Sequence, residues 1–232
     1  MIQLTNIPGE VIFLNRDLLP SENMVVCAAI VDDFFDLVTT PEVRHWKLLE
    51  EMVQAGHWGC LDHSLPVFKI RAPIFVARQI MRASGAAFNE ISGRYKVVEP
   101  KFYAPSPCYR DVKRKELGAT PEPLPYSLEH QYLRTYTGAW DAYQSLLESG
   151  VRKEQARDVL PVATYTEFWM SLRLSDWLHF LNLRTDHHAQ EETRFVALLI
   201  HGELASKYPK IFEYWTKYAK GPINEWGTIQ TA

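Results

Sequence analysis

From Tyr165 to about Leu204 the apolar residues keep helical spacing almost without a break. Residues Ser127 to Ser149 do the same, with Leu128, Tyr132, Thr135, Ala139, Ala142 and Leu146 stepping by four and three along one face. A chain patterned this way has to bury long amphipathic helices. Gly150 closes the earlier of these stretches, and a short helix from Arg152 to Leu160 is stopped by Pro161. The first half of the chain differs. Glu10-Val-Ile-Phe-Leu14 and Met24-Val-Val-Cys-Ala-Ala-Ile-Val31 are short apolar runs broken by Pro-Gly and Pro-Ser, and they read as a strand and a buried element. Thr39-Thr40-Pro41-Glu42 opens a helix whose inward positions are Trp46, Leu49 and Val53, and Gly56 ends it. Residues 65–82 predict a strand, alternating through Leu65, Val67 and Ile70, that leads into a buried helix carrying Arg78 and Arg82. The stretch 100–126, rich in proline and charge, predicts an exposed loop or lid, centred on 104–126. The fold class expected is a helix-rich mixed α/β (α+β) protein, one domain over residues 1–232.

Composition narrows the function classes. Apolar residues make up 47% of the 232, enough for a sizeable core. Seven Trp, eleven Tyr and eleven Phe are enough rings to build an oligomer interface or to stack on a planar ligand. A formal net charge of −3 argues against a general nucleic-acid binder, which would carry a basic stripe. Cys27, Cys60 and Cys108 are odd in number and far apart, which fits reduced thiols in a cytoplasmic protein. The first residues carry no charged-then-apolar leader, and no apolar run approaches the ~20 residues of a membrane helix, so no membrane association is expected.

The densest chemical cluster runs from Arg78-Gln79 through Arg82, Ser84, Asn89 and Glu90 to Ser92-Gly93-Arg94-Tyr95. Arg78 and Arg82 are four apart, one helix face. A hydroxyl, a flexible backbone amide and a forked cation at 92–94 are what a phosphate monoester requires. A solvated turn with ordinary surface arginines reads equally well from spacing alone. The second cluster is Leu181-Asn-Leu183-Arg184-Thr-Asp-His187-His188-Ala-Gln190-Glu191-Glu192, where Arg184 shares a helix face with His187 or His188. An arginine on an apolar helix needs a ligand or an acid, and Asp62, Glu90 and Glu167 are the candidate acids. His57, Asp62 and His63 with His187, His188, Glu191 and Glu192 lack tight ligand spacing, so no metal site is expected. Cys60, flanked by His57, Asp62 and His63, is the candidate thiol nucleophile.

Several blocks resemble one family. Phe75-Val-Ala-Arg-Gln79, Asn89-Glu-Ile-Ser-Gly-Arg-Tyr95, Phe102-Tyr-Ala-Pro-Ser106, Ala156-Arg157 with Leu160-Pro161, and Phe180-Leu-Asn-Leu-Arg184 with Ala189-Gln190 are similar to the flavin-dependent thymidylate synthases, in order and spacing from about residue 25 to 205. The resemblance implies a central mixed sheet flanked by long helices and a homotetramer with active sites at subunit interfaces. It implies methylation of dUMP at C5 with methylenetetrahydrofolate as one-carbon donor, FAD as relay and NADPH as reductant. Carried over by position, Gln79, Arg82, Glu90, Ser92, Gly93, Arg94, Tyr95 and Arg157 fall in the nucleotide pocket, and Arg184 holds the pyrimidine carbonyl as a catalytic residue alongside Ser92. His57, Asp62, Arg82, Ser84, Asn89, Arg173, His179, Leu183 and His188 fall on the cofactor side.

The departures from the family pattern are one-sided. The family signature R-H-R, seven residues, Ser reads here Arg82-Ala83-Ser84, then Ser92. Asp32 replaces a serine, H-x-[ST]-x-x-E-H becomes His57-Trp-Gly59-Cys60-Leu-Asp62-His63, and Arg173 stands for an asparagine. Losing two cationic donors to a pyrophosphate, at about 1.5–3 kcal/mol each, weakens flavin binding unless Arg173 or another cation compensates. The expected function is therefore C5 one-carbon transfer. The alternatives are a flavin-independent, folate-dependent dUMP or dCMP hydroxymethylase, with Cys60 activating C6, and a non-catalytic deoxynucleotide-binding paralogue.

Overall fold

The computed structural model describes residues 1–19, 21–29, 43–105 and 129–218. The proposed helix start at Thr39–Glu42, Asp32, Cys108 and nearly all of the expected 104–126 loop lie outside them. The fold is a helix-rich α+β arrangement. Its strands are β1 (Gln3–Thr5), β2 (Glu10–Phe13), β3 (Val67–Pro73), β4 (Ala87–Glu90), β5 (Lys101–Tyr103) and β6 (Tyr165–Ser171). Its helices are α1 (Glu22–Ala29), α2 (Val43–Gln54), α3 (Ile74–Ile80), α4 (Glu129–Glu148), α5 (Lys153–Ala156), α6 (Leu174–Arg184), α7 (Glu191–Lys207) and α8 (Pro209–Tyr218). Four strands form a sheet in the order β2-β3-β6-β4, and β1 pairs with β5 as a parallel ribbon in the register Leu4 to Phe102.

The chain divides into two compact units, Met1–Pro8 with Arg71–Arg78 and Glu90–Glu167, and Gly9–Ile70 with Gln79–Asn89 and Phe168–Ala232. In the first unit Phe102, Ala104, Tyr136 and Ala163 form a buried cluster, with Ile2, Tyr132, Trp140 and Leu160 packed against it. Phe102 stacks on Tyr136 at 5.3 Å between centroids, and the Tyr143 hydroxyl accepts the Val98 N–H at 3.1 Å. The long helix expected over 127–149 is present as α4, but its buried face is one residue out of step with the expected one. Tyr136 and Tyr143 are buried while Thr135 and Ala142 are exposed. The large rings bury more apolar area than threonine and alanine, and they set the rotation of the helix.

In the second unit Phe68 packs between Phe13, stacked at 4.4 Å, and the edge of Trp177 at 5.1 Å. The Trp177 indole donates to the Pro66 carbonyl at 3.1 Å, so the buried ring leaves no polar group unpaired. Ile211, Phe212, Tyr214 and Trp215 of α8 complete this core, where the hydroxyls of Tyr208 and Ser64 share a hydrogen bond of 2.9 Å. The expected helix end at Gly56 is observed, in the left-handed region at φ 74°.

Four expectations are corrected. Residues 165–171 are a strand: Thr166, Phe168 and Met170 are buried while their neighbours are not, the period-2 alternation of a half-buried strand. Lys101–Tyr103, placed in the expected loop, is β5. β3 turns Phe68, Ile70 and Ala72 inward rather than Leu65 and Val67. The helix after it stops at Ile80, so Arg82 lies in the following turn and does not share a helix face with Arg78.

Burial predicts the energetics. Replacing Trp177 with Ala is expected to lower unfolding free energy by about 3–5 kcal/mol. Leu18→Ala, at a residue 88% exposed, should change it by less than about 0.5 kcal/mol. Urea midpoints with unchanged slope would check both.

Candidate active site

In the first unit, the loop that follows β4 meets the start of β6 and the residue after α5. Glu90, Ser92, Gly93, Thr166 and Arg157 line a pocket there of about 380 Å³. Ser92 opens a tight turn, its carbonyl accepting the Tyr95 N–H at 3.2 Å and its hydroxyl the Arg94 N–H at 3.3 Å. Gly93 lies close under Arg157: a Cβ there would stand 3.1 Å from Cδ and 3.4 Å from Nη1 of Arg157, so a side chain at this position would make the arginine shift. Thr166 donates to the Glu90 carboxylate at 2.5 Å. Arg157 meets no carboxylate among the described residues. The pocket wall carries the Ser92 hydroxyl and the Arg157 guanidinium together with the carboxylates of Glu90, Glu99 and Glu167. Glu99 is paired with Arg71 and Glu90 is bonded to Thr166, and Arg157 is left to meet an anionic oxygen.

Arg94 and Tyr95 do not join that pocket within the chain. The Arg94 Nε pairs with Glu154 at 3.0 Å, its guanidinium lies over the Tyr95 ring at 5.5 Å, and Lys153 donates to the Tyr95 carbonyl at 3.1 Å. Together with Arg152 they line a separate shallow groove.

In the second unit, Arg184 is the last residue of α6 and donates from Nη2 to the backbone carbonyl of Gln79 at 2.9 Å. The Gln79 side chain is held on both sides, donating to Gln190 and accepting from the Thr193 hydroxyl at 3.1 Å. Burial lowers the Arg184 pKa, and the nearby Arg82 cation lowers it further. Two guanidiniums that repel each other without a carboxylate between them form an anion-seeking pair. Of the acids expected beside Arg184, Asp62 pairs with Arg173 instead, and Glu90, in the first unit, is bonded to Thr166. His187 and His188 are not on the helix face with Arg184, because α6 ends there. Asp186 caps the turn that follows by accepting from the His188 N–H at 2.7 Å. Among the described residues, only Asp186, His187 and His188 bring three metal-ligand atoms within 4.8 Å of one another, and Asp186 is already committed to His188.

Of the residues expected on the cofactor side, Asp62 and Arg173 meet at the N-terminal end of α6, while Arg82 stands near Arg184 and Leu183 and His188 lie at or beyond the C-terminal end. Arg173 precedes the helix. Its Nη1 donates to Asp62 Oδ2 at 3.1 Å and its Nε to Asp176 Oδ2 at 2.8 Å, while Ser175 donates to the other oxygen of Asp62. Asp176 first, and Asp62 after it, hold the Arg173 pKa above its usual value. Gly85, three residues after Arg82, has φ 77°, and a Cβ on it would meet Asp176 Oδ2 at 3.5 Å. His179 lines a cleft of about 340 Å³ with Trp58, Asp176 and Asn182. His57, Ser84, Asn89 and Leu183 are exposed, and no hydrogen bond joins their side chains to this group among the described residues. Cys60 is 4% exposed and burial pushes its thiol up, the reverse of what an attacking thiolate requires.

Asp176, Ser175 and Glu154 were not among the expected site residues. The signal for Asp176 was available, since Arg173 and Asp176 stand three apart at a helix start. Asp62 and Arg173 are 111 positions apart, and no local pattern joins them.

A flavin dinucleotide needs donors for its pyrophosphate. The turn after Arg82 offers Ala83, which has none, the Ser84 hydroxyl, and a glycine facing a carboxylate. Arg173, at the N-terminal end of α6, is bound to two aspartates, and Arg82, which opens the turn, stands beside Arg184. These residues do not fit the group.

The family described as thymidylate synthase complementing protein matches residues 20–210. A flavin-dependent thymidylate synthase of Thermotoga neapolitana is 35% identical over 208 residues, 89% of this chain and 92% of the relative. One of Thermosipho africanus is 35% identical over 82% of this chain and 85% of the relative. The crystal structure of a UMP/dUMP methylase, PolB from Streptomyces cacaoi, bound with 5-Br dUMP, superposes with a TM-score of 0.81 at 27% identity, covering 94% of this chain and 98% of that one. These likenesses span nearly the whole fold, and the chain belongs to the thymidylate synthase complementing protein family.

Proposed function

We propose that this chain methylates C5 of a pyrimidine deoxynucleotide, converting dUMP to dTMP with methylenetetrahydrofolate as one-carbon donor. The observation that carries the reading is Arg184. It is a half-buried guanidinium pinned by a main-chain carbonyl, beside a second cation and without an acid. Such a group is suited to donate to a ring carbonyl oxygen and to stabilise the negative charge that collects there as C5 becomes nucleophilic. Arg82 adds positive charge beside it. In the first unit, taken by itself, Ser92, Gly93 and Arg157 suit a phosphate group and Glu90 a hydroxyl donor. Arg94 and Tyr95 face their own groove, which suits service to a neighbouring copy in a homotetramer with sites at subunit interfaces.

The family implies FAD, with NADPH as its reductant. A bound reduced flavin supplies the hydride that completes a methyl group. The residues around Arg173 do not fit its pyrophosphate, and this favours a second reading, folate-dependent hydroxymethylation of dUMP or dCMP. In that reaction C5 bonds the folate methylene carbon and loses its proton, the carbon–nitrogen bond to folate breaks, and water supplies the hydroxyl. No hydride is needed.

Incubation with dUMP or dCMP and methylenetetrahydrofolate, with and without FAD and NADPH, followed by mass spectrometry of the nucleotide, separates the readings. A methyl increment supports the first and a hydroxymethyl increment the second. Bound nucleotide with no product under any condition would overturn both in favour of a deoxynucleotide binder. Arg184→Ala is expected to lower kcat by about 10²–10³-fold with a smaller change in dUMP affinity. Arg157→Ala is expected to weaken dUMP binding by roughly ten- to a hundred-fold while leaving binding of phosphate-free deoxyuridine unchanged. Calorimetric titration checks the second pair.

A further inference from the structure

Arginines sit at both ends of α6, and their surroundings are opposite. Arg184, at the C-terminal end, has no carboxylate among the described residues. Arg173, at the N-terminal end, has two, Asp62 and Asp176. A cation next to a helix N-terminus is disfavoured by the helix dipole, and carboxylates there offset both the dipole and the guanidinium. The N-terminal turn of a helix is ordinarily a place for phosphate oxygens. Here Asp176 lies within that turn, and Ser175, the hydroxyl best placed to donate to an incoming anion, donates to Asp62 instead. The altered segment after Arg82 adds no cation: Gly85 stands against Asp176. An anion approaching this turn meets two carboxylates, one guanidinium already engaged by both, and a hydroxyl already used.

We propose that the Asp62–Arg173–Ser175–Asp176 cluster is a specificity device that keeps a dinucleotide pyrophosphate off this end of the chain, so that the protein binds its pyrimidine nucleotide without retaining FAD. Asp176 acts by charge, and Asp62, where the family pattern also carries an acid, acts by engaging the Arg173 guanidinium and the Ser175 hydroxyl. Arg173 closes the cluster and does not recruit the anion. The inference rests on the second reading above, hydroxymethylation, which needs no hydride and so no flavin; retained flavin with a dTMP product would overturn it and leave the methylation reading standing. Whether the chain binds dUMP is a separate measurement.

The test uses the full-length protein. Its visible spectrum as purified, and tryptophan-fluorescence titrations with FAD and independently with dUMP, are recorded for the unaltered chain and for Asp62→Asn, Asp176→Asn, the double variant and Arg173→Ala. Asparagine keeps the shape and the hydrogen-bonding oxygen while removing the charge, and the single variants cover the case in which the double variant does not fold. The unaltered protein is expected to carry no flavin absorbance. Each single Asn variant should tighten FAD binding by roughly tenfold or more, as expected for a charge-assisted contact regained. Arg173→Ala, which leaves the carboxylates bare, should bind FAD no better than the unaltered chain. A protein that retains flavin as purified and loses it on Arg173→Ala would overturn the proposal, because Arg173 would then be a flavin ligand. So would Asn variants of unchanged FAD affinity. Failure of dUMP to bind, with the flavin results as expected, would overturn the nucleotide reading and leave the exclusion standing.

Discussion

The packing of Trp177 against Phe68 positions much of the chemistry. α6 is 11 residues long, about 16 Å at 1.5 Å per residue. Its buried stripe of Leu174, Trp177, Leu178, Phe180 and Leu181 fixes both its rotation and its position along its axis. The indole hydrogen bond to Pro66 ties that stripe to the residue just before β3. Once the stripe is seated, Arg173 and Arg184 have no freedom in where they emerge. One apolar decision in the core thus sets two charged decisions at the surface.

Those two charged decisions differ in a way that local dielectric makes consequential. Arg184 is half-buried, where burial and a neighbouring cation both act against its charge, and a carbonyl dipole is its only hydrogen-bond partner among the described residues. That is an unrelieved positive field, and fields of this kind are retained where a ligand relieves them. Arg173 is more than half exposed and doubly paired. Exposed pairs contribute little to stability on average, so its two aspartates are better understood by what they do to an approaching ion than by what they do for the fold.

How much of this was legible in the residues depended on range. The helices α4, α6 and α7 follow from local periodicity, and the Ser92-Gly93-Arg94 turn from local chemistry. The strand β6 was hidden because Tyr165-Thr-Glu-Phe-Trp-Met-Ser171 is short, apolar and followed directly by a helix, so alternation was absorbed into a longer helical pattern. The end of α6 was hidden because Asp186 stops the helix by an Asx turn rather than by glycine or proline. The rotation of α4 departs by one residue from the apolar pattern because the rings of Tyr136 and Tyr143, rather than apolar class alone, decide which positions bury. Contacts far apart in sequence lay beyond any local rule. Asp62 with Arg173 is one and Thr193 with Gln79 another, at 111 and 114 positions apart, and both were set only when the core closed.

The partner of Arg184 is a main-chain oxygen. A side-chain anchor can be exchanged by one codon, but the carbonyl of Gln79 is present whatever residue occupies that position. It moves only if the end of α3 moves, and Gln190 and Thr193 hold that end from α7 and the residue before it. The orientation of the guanidinium is therefore inherited from where a helix terminates. Sequence drift can redesign what surrounds this arginine far more readily than it can re-aim the arginine itself.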